Sequence, residues 1–412
     1  MAYWFHRNPL KATTAVGFNL QMIAVNSDAV QICSELKQNR EKLIELFTDA
    51  NNSVSSVETT LHNYLSLLMG FVQALDNRGG DYSKLRHSLR FKWTQTMLGN
   101  VPIVQQDALF ELISICEEYA IWLMKHASAI AGKDEPKMEE AKEVHTSLRK
   151  ASGVFSALTV HIDNLLEKPS PGSDMDNRVA NAYIQQLTIA RAIELKHNAA
   201  LISGLANEAS KTFLAAASSI KALDATKFGK WLKYFQLKSV FYEAYAYCYL
   251  GENLLSLDKC GEAIRALQEA EKCLATAKEL CKEYEKAKGV GSTAKISENL
   301  FFRSLSPLIK RTKEKCEREN GMIYHQRVPS EPPALELKAT HGLVLPENFE
   351  LPTISPRWTP VAYAAFDLSK NLNPLDSSKS AKKAESELPS VQEKSVHQSS
   401  IDPKTKSGCL LQ

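Results

Sequence analysis

The strongest constraint on the fold is an unusually apolar stretch at residues 228–257. Large apolar or aromatic residues there fall on every side of a helix that has 3.6 residues per turn. A helix without a polar side has to be packed against other elements all round. The stretch is therefore predicted to be a central helix of a larger helical core. Its large residues include Trp231, Phe235, Phe241, Tyr245 and Leu250.

Amphipathic helical patterns occupy most of the chain before residue 320. Apolar residues recur three or four positions apart, and breaks fall at glycines and prolines such as those at 79–80 and 169–172. The pair formed by 228–257 and 261–287 is similar to one tetratricopeptide hairpin, and we find a single convincing unit of that kind. Residues 1–25 suit short strands or an extended arm. The predicted helices begin at Ser27 and continue at about 57–75, 104–131, 137–167, 176–223, 228–257, 261–287 and 297–320.

The composition changes after residue 328. Seven of the 16 prolines lie within 329–360, interleaved with apolar residues such as Leu335 and Trp358. This mixture predicts an extended strap that is packed on the helices. After about 371 there are no aromatic residues, and Ser, Lys, Glu and Pro dominate, which predicts a disordered tail. The sequence thus divides into a folded domain at 1–370 and a tail at 371–412.

The tail ends in a prenylation box. Cys409-Leu410-Leu411-Gln412 matches the pattern Cys-aliphatic-aliphatic-X, and a final Gln favours a farnesyl over a geranylgeranyl group. We expect a covalent farnesyl group on Cys409, removal of residues 410–412 and methylation, with no other cofactor. One lipid chain holds a protein to a membrane only weakly and reversibly. A protein partner or a local patch on the folded domain is therefore expected to supply a second attachment.

Several classes of function receive no support. The net charge of +3 gives no general attraction to nucleic acid. No run of 18 apolar residues indicates a membrane span, and the N-terminus lacks the pattern of a signal peptide. The cysteines before Cys409 form no Cys-x-x-Cys pair, which favours small buried residues over a metal site or disulfides.

Two short motifs resemble catalytic signatures but lack the required context. Gly289, Gly291 and Ala294 match a dinucleotide fingerprint, yet a charged helix end precedes them where a strand is needed, so a helix stop is the better interpretation. Glu194 and His197 have the spacing of half a di-iron site, but the other ligands are missing. The chain is therefore predicted not to be an enzyme and to hold no metal.

One helical region could bind a partner. Within 186–214, Leu201 and Leu205 lie one turn apart among small residues, which can leave a shallow apolar groove for a partner helix. Ordinary core packing is the alternative, and the residues by themselves favour it. A basic cluster at 310–318 could contact acidic lipids or an acidic partner, although a solvated face that complements the dipole of the helix C-terminus is the better interpretation.

Six stretches occur together in this chain: Phe91-Lys92-Trp93, 107–112, 151–155, 186–214, 241–281 and 320–329. Together they resemble the BRO domain family, which includes Alix and the endosomal-sorting tyrosine-phosphatase-like proteins. The resemblance covers about residues 3–368. A complete BRO domain followed by a short tail with a prenylation box resembles the prenylated branch of the family, since Alix continues into a coiled coil and a proline-rich tail.

The resemblance implies an elongated, banana-shaped domain with a tetratricopeptide-like helical solenoid, all-α except for a minor β element. It also implies binding of C-terminal amphipathic helices of ESCRT-III charged multivesicular body proteins. Thr188 stands where Alix-like members carry an aromatic residue, a departure that bears on the depth and selectivity of the groove. The groove residues implied by position are Leu201, Ile202, Leu205, Arg191 and Lys142.

The expected function is that of a prenyl-anchored, non-enzymatic adaptor that is cytoplasmic and peripherally attached to membranes. It would act as a monomer in sorting, remodelling or repair where ESCRT-III assembles, at endosomes or the nuclear envelope. The alternative is a generic tetratricopeptide-like trafficking or chaperone scaffold that binds extended peptides. A third possibility, an enzyme, would require Cys, His and carboxylate groups clustered in a buried cleft.

Overall fold

The computed structural model is mostly helical, as predicted. It describes residues 5–6, 8–18, 20, 23–75, 82–95, 99–131, 138–162, 193, 196–291, 293–294, 296–297, 299–335, 345–370 and 386–394. The long helices are α1 (Ser27–Phe47), α2 (Val54–Val72), α3 (Ala108–Ala131), α4 (Met138–Ile162), α5 (Ala199–Ile220), α6 (Ala225–Ser256), α7 (Cys260–Lys286) and α8 (Leu300–Glu319). A π-helical turn at Asn320–Tyr324, a short helix α9 (Pro360–Ala364) and a 3-10 turn at Leu368–Lys370 follow.

The minor β element is an antiparallel pair of strands, β1 (Phe91–Thr94) and β2 (Pro102–Gln105). It lies later in the chain than the residues 1–25 for which strands were considered. The described part of that N-terminal region forms an extended arm instead, and a single bridge joins Thr13 to Trp93. The predicted fold class, all-α with a small β element, is confirmed.

Two apolar cores hold the helices together. The first core joins α5, α6, α7 and α8, and the second joins α1, α2, α3 and α9. As predicted, α6 is buried on most sides, with Trp231, Phe235 and Phe241 at most 1% exposed. Burying a side chain of this size stabilises the fold by roughly 1.5–3 kcal/mol. Helix α6 is therefore the main packing element of the first core.

The predicted helix over 176–223 is interrupted at residues 196–198. Residues 176–192 lie outside the described part of the chain, and α5 begins only at Ala199. Lys196 has a left-handed backbone with φ of 52°, and the Asn198 side chain accepts a hydrogen bond from the Ala200 amide at 2.7 Å. Asn is a favoured helix cap, so a new helix starts here.

The described parts of the strap, 329–335 and 345–359, lie on the helices without helical or strand structure. At Gly153 of α4 the strap comes so close that an added Cβ would lie 1.7 Å from the Glu347 carbonyl oxygen. Hydrogen bonds join the strap to four helices. In two of them a helix side chain donates to the strap: Arg265 Nε to Ser330 O and Asn207 Nδ2 to Leu335 O, both at 3.0 Å. In the other two the strap donates to a helix carbonyl: Glu347 N to Arg149 O at 3.1 Å and Trp358 Nε1 to Leu67 O at 2.8 Å.

Part of the tail also contacts the folded domain. Residues 386–394, expected to belong to a disordered tail, run against α1, α3 and the β1–β2 connection. The structure differs from the expectation there because two main-chain hydrogen bonds and an ion pair fix the segment. Residues 371–385 and 395–412 lie outside the described part of the chain.

The sequence predicted no membrane span, no metal site and no disulfides, and the described residues bear on each of these predictions. Within the described ranges, no helix is long and apolar enough to cross a membrane. The same residues contain no group of three or more His, Cys, Asp or Glu side chains placed to hold a metal ion. The seven cysteines that the structure describes are buried free thiols.

Candidate partner-helix surface on α5

Helix α5 packs closely against α6 because its inner face is built from small residues. Ser203 Oγ donates to the Ala246 carbonyl at 2.8 Å, and the rings of Phe213 and Tyr242 stack with centroids 5.9 Å apart. Alanines between these contacts let the two helices approach without clashes. The buried stripe of α5 consists of Ile202, Leu205, Ala206, Ala209, Phe213, Ala216, Ala217 and Ile220.

The structure separates the three apolar residues that the sequence assigned to the groove. Ile202 is 2% exposed and Leu205 is 1% exposed, so both belong to the core, whereas Leu201 is half-buried at the core's edge. The reason is helical geometry: a residue four positions on is rotated by about 40°, which takes Leu205 from the edge at Leu201 into the first core. The core-packing interpretation therefore holds for Ile202 and Leu205, and neither presents surface to a partner.

Of the two basic residues assigned to the groove, Lys142 is described by the structure and Arg191 is not. Thr188, the position that departs from the family pattern, also lies outside the described residues. Lys142 lies on α4, and its exposed ammonium group is 3.2 Å from the exposed Glu139 carboxylate. Exposed pairs of this kind contribute little to stability, so Lys142 can exchange Glu139 for an acidic group of a partner. Val144, two residues further on, belongs to the same apolar core as Leu205.

The strap forms one border of the outer side of α5. The Asn207 side chain of α5 holds the Leu335 carbonyl of the strap, and Leu335 itself packs against the first core. The contact of Asn207 with the strap was not predicted from the sequence, although an amide in a helix of small apolar residues is a signal for a specific hydrogen bond. The residues of α5 that are exposed or half-buried are Ala199, Ala200, Leu201, Glu208, Lys211, Thr212, Leu214, Ala215, Ser218 and Ser219.

This outer side combines a half-buried leucine with small neighbours and paired charges. Lys211 and Glu208 form an ion pair at 3.3 Å. A half-buried apolar side chain among small residues can accept apolar side chains of an amphipathic helix, while flanking charges can pair with its polar side. Of the predicted site residues that the structure describes, Leu201 and Lys142 remain available for such contacts.

A buried lysine lies directly behind α5. The Lys238 ammonium of α6 is 5.8 Å from the ring centroids of Phe213 and Tyr242 and 5.6 Å from that of Tyr234. Burial lowers the pKa of Lys238 well below its ordinary value. Since aromatic faces attract a cation, these rings offset part of the cost of burying the group. Lys238 thus belongs to the support of α5 and not to its outer surface.

A concave region lies under the strap, away from α5. This cleft, of about 270 Å³, is lined by α2, α3, α4 and strap residues 347–352. Within it, the Tyr119 hydroxyl and the Lys150 ammonium both donate to Glu58 Oε1, at 2.8 and 2.6 Å. Burial raises the pKa of Tyr119, which therefore keeps its proton and acts as a donor. These bonds tie α2 to α3 and α4.

The predicted lipidation site, Cys409, lies outside the described residues. The described segment nearest to it in sequence ends at Lys394. Modification of Cys409 stays a prediction from the sequence.

Comparison with known proteins places these observations in a family. A family model described as "BRO1-like domain" matches residues 20–387. The chain is 48% identical over 419 residues to "BRO1 domain-containing protein BROX" of Danio rerio, with all of both chains covered. It is 50% identical over 378 residues to the Homo sapiens protein of the same description, and the match covers 90% of this chain and 92% of the human protein. A "BROX homolog" of Caenorhabditis elegans is 40% identical over 428 residues, with all of both covered.

Solved structures support the same fold. The structure titled "ALIX BRO1 CHMP4C complex" superposes with a TM-score of 0.66 at 18% identity, covering 86% of this chain and 98% of that one. The structure titled "Structure basis for endosomal targeting by the Bro1 domain" gives a TM-score of 0.62 at 19% identity, covering 88% and 95%. At this level of identity the similarity concerns the fold.

Proposed function

The chain belongs to the BRO1-like domain family, and on that premise we propose that it is a non-enzymatic adaptor for ESCRT-III proteins at membranes. The resemblance that the sequence suggested, to the BRO domain family and within it to BROX, is confirmed by relatives that match along almost their whole length. The partner helix, the lipid anchor and the target membranes are parts of this proposal.

The proposed partner segment is the C-terminal amphipathic helix of an ESCRT-III charged multivesicular body protein. The observation that carries this proposal is the shared fold with an ALIX BRO1 domain solved in complex with CHMP4C. On this chain the contact would use Leu201 and its small neighbours on α5, with Lys142 facing acidic residues of the helix. Leu205 and Ile202 support Leu201 from the core and are not contact residues.

The expected affinity is modest. Each apolar side chain of the partner that becomes buried contributes roughly 1.5–3 kcal/mol before the helix is ordered. Ordering a peptide and immobilising its side chains offsets much of that gain. A dissociation constant in the micromolar range, about −8 kcal/mol, is therefore expected.

The proposed second attachment is a farnesyl group on Cys409. A single lipid binds membranes weakly, and a micromolar protein contact is weak as well. When both are present on one surface, the second binding event becomes intramolecular and the overall attachment is much tighter. The adaptor would therefore accumulate where ESCRT-III has assembled, on the cytoplasmic face of endosomal or nuclear-envelope membranes.

The groove assignment is tested by calorimetry with a C-terminal peptide of CHMP4C. Leu201→Asp should weaken binding at least tenfold, because a carboxylate would be buried against the peptide. Leu214→Asp is the matched control, since Leu214 is exposed on the same helix but is rotated by about 140° from Leu201 and lies about 20 Å further along the helix axis. It should change the affinity less than twofold. Unchanged affinity of Leu201→Asp, with both variants folded by circular dichroism, would refute the assignment.

The lipid is tested by mass spectrometry of the chain expressed in eukaryotic cells. The account expects loss of residues 410–412 and a farnesyl adduct on Cys409. A chain that ends at an unmodified Gln412 would refute the anchor and leave the groove assignment untouched.

A further inference from the structure

Residues 386–394, here called the tail clasp, return to the folded domain through main-chain hydrogen bonds. The Leu388 amide donates to the Asn100 carbonyl at 2.9 Å, in the connection between β1 and β2. The Lys394 amide donates to the Thr48 carbonyl at 2.9 Å, where Thr48 is the C-terminal cap of α1. The carbonyls at a helix end have no partner within the helix, so Thr48 offers an acceptor. The tail clasp thus spans from the hairpin to the end of α1.

Side chains add an ion pair and an apolar contact between these two points. The Lys125 ammonium of α3 lies 2.7 and 2.9 Å from the two carboxylate oxygens of Glu393. The Lys125 side chain is 8% exposed and that of Glu393 is 39% exposed, so solvent screens this pair less than a fully exposed one. Val391 is half-buried against the second core.

The surface that receives the tail clasp is fixed by contacts of its own. Trp122 Nε1 of α3 donates to the Asp49 carbonyl at 3.1 Å, and His126 Nδ1 is 2.7 Å from the Ala50 carbonyl. These two bonds hold the α1–α2 turn against α3 on either side of Lys125. The acceptor at Thr48 and the cation at Lys125 are therefore held in a constant relation, which suits recognition of an extended segment.

The tail clasp extends beyond the family's common domain. The match to the BRO1-like domain model ends at residue 387, whereas Val391, Glu393 and Lys394 come later. These contacts are therefore made by residues outside the portion that defines the family.

We propose that this surface is a binding site for the chain's own tail and that docking of the tail clasp sets the length of the lipid tether. Cys409 follows Lys370 by thirty-nine positions but follows Lys394 by only fifteen. A fully extended chain spans at most about 3.5 Å per residue, so docking reduces the maximum reach from about 135 Å to about 50 Å. The end of the domain formed by the α1–α2 turn is then held next to the bilayer. Docking itself needs no lipid, whereas its consequence for membrane orientation rests on the proposed lipidation of Cys409.

Docking is tested by hydrogen exchange in the full chain carrying Cys409→Ser. The amides of Leu388 and Lys394, which donate to Asn100 and Thr48, should exchange at least tenfold more slowly than those of an unstructured peptide. Glu393→Lys places a cation beside Lys125, and Val391→Asp removes the apolar contact, so each should abolish the protection. Glu387→Lys makes the same charge change at an exposed position of the same segment and should keep it. Exchange at the unstructured rate in the unaltered segment, or full protection in both clasp variants, would overturn the proposal.

Orientation is tested on vesicles with the lipidated chain. A donor dye on an Asn51→Cys variant, in the exposed α1–α2 turn, should transfer energy efficiently to an acceptor lipid. Val391→Asp should reduce the transfer at least twofold while the bound fraction stays the same. Equal transfer with and without Val391→Asp would refute the short tether. Failure of both chains to bind vesicles would refute the anchor and leave docking, measured without lipid, unaffected.

Discussion

The guanidinium of Arg40 lies 2.7 Å from a carboxylate oxygen of Glu111, and the two side chains are 3% and 0% exposed. The same carboxylate accepts hydrogen bonds from the Tyr64 hydroxyl at 2.9 Å and from Trp93 Nε1 at 2.6 Å. A single buried carboxylate on α3 therefore joins α1, α2 and β1. This cluster fixes the half of the domain that receives the C-terminal part of the strap and the tail clasp.

Glu111→Ala should lower the free energy of unfolding by about 3–5 kcal/mol, because it leaves the buried Arg40 without its carboxylate. Urea denaturation at neutral pH measures the change. The control is Glu41→Ala on α1, whose exposed carboxylate lies 4.0 Å from Lys37 and should contribute less than about 1 kcal/mol. Equal losses for the two variants would contradict the role assigned to Glu111.

Glu118 should make stability depend on pH. Burial raises the pKa of this carboxyl from its ordinary value of 4.5 to about 8, against the opposing effect of the Lys11 amide, which donates to both oxygens. Since the folded state holds the proton more tightly, the stabilising contribution is complete below about pH 4.5 and is lost as the pH rises toward 8.

The measurement compares the unaltered chain with Glu118→Gln by chemical denaturation from pH 5 to pH 8. The free energy of unfolding of the unaltered chain should fall relative to that of Glu118→Gln across this range, because Gln cannot ionise. A constant difference would mean that Glu118 titrates with an ordinary pKa in the folded state.

Gly153→Ala should detach the strap from α4. The added Cβ would lie 1.7 Å from the Glu347 carbonyl oxygen, so the hydrogen bond from the Glu347 amide to Arg149 has to break. We expect a loss of about 1–3 kcal/mol in unfolding free energy and faster proteolysis within 345–352. Gly321→Ala is the control, since its added Cβ meets nothing within 4 Å. A strap that is cleaved equally slowly in both variants would count against the packing described.

Leu205→Ala should behave as a core substitution. Because Leu205 is buried in the first core, we expect a loss of about 2–5 kcal/mol in the free energy of unfolding. Leu201→Ala, at the half-buried edge of the same helix, should lower the free energy of unfolding clearly less than Leu205→Ala does. It should weaken binding of the partner peptide more. If the two substitutions had the opposite effects, Leu205 and not Leu201 would be the contact residue.

The sequence predicted those elements whose signals are local. Periodicity located the helices, and the apolar run of α6 predicted burial that Trp231 and Phe235 confirm. Local patterns could not decide which of Leu201 and Leu205 is fully buried, because the two lie one turn apart and only the packing of neighbouring elements distinguishes them. The tail clasp was missed for a related reason: its contacts depend on Lys125 and Thr48, which are far away in sequence.

The two-part attachment is tested most directly by recruitment of the lipidated chain to vesicles with and without an ESCRT-III coat. The account predicts strong binding to coated vesicles, and at least tenfold weaker binding when the coat is omitted, when Cys409→Ser removes the lipid, or when Leu201→Asp disrupts the groove. Binding of either variant to coated vesicles at the level of the unaltered chain would contradict the claim that both attachments are required.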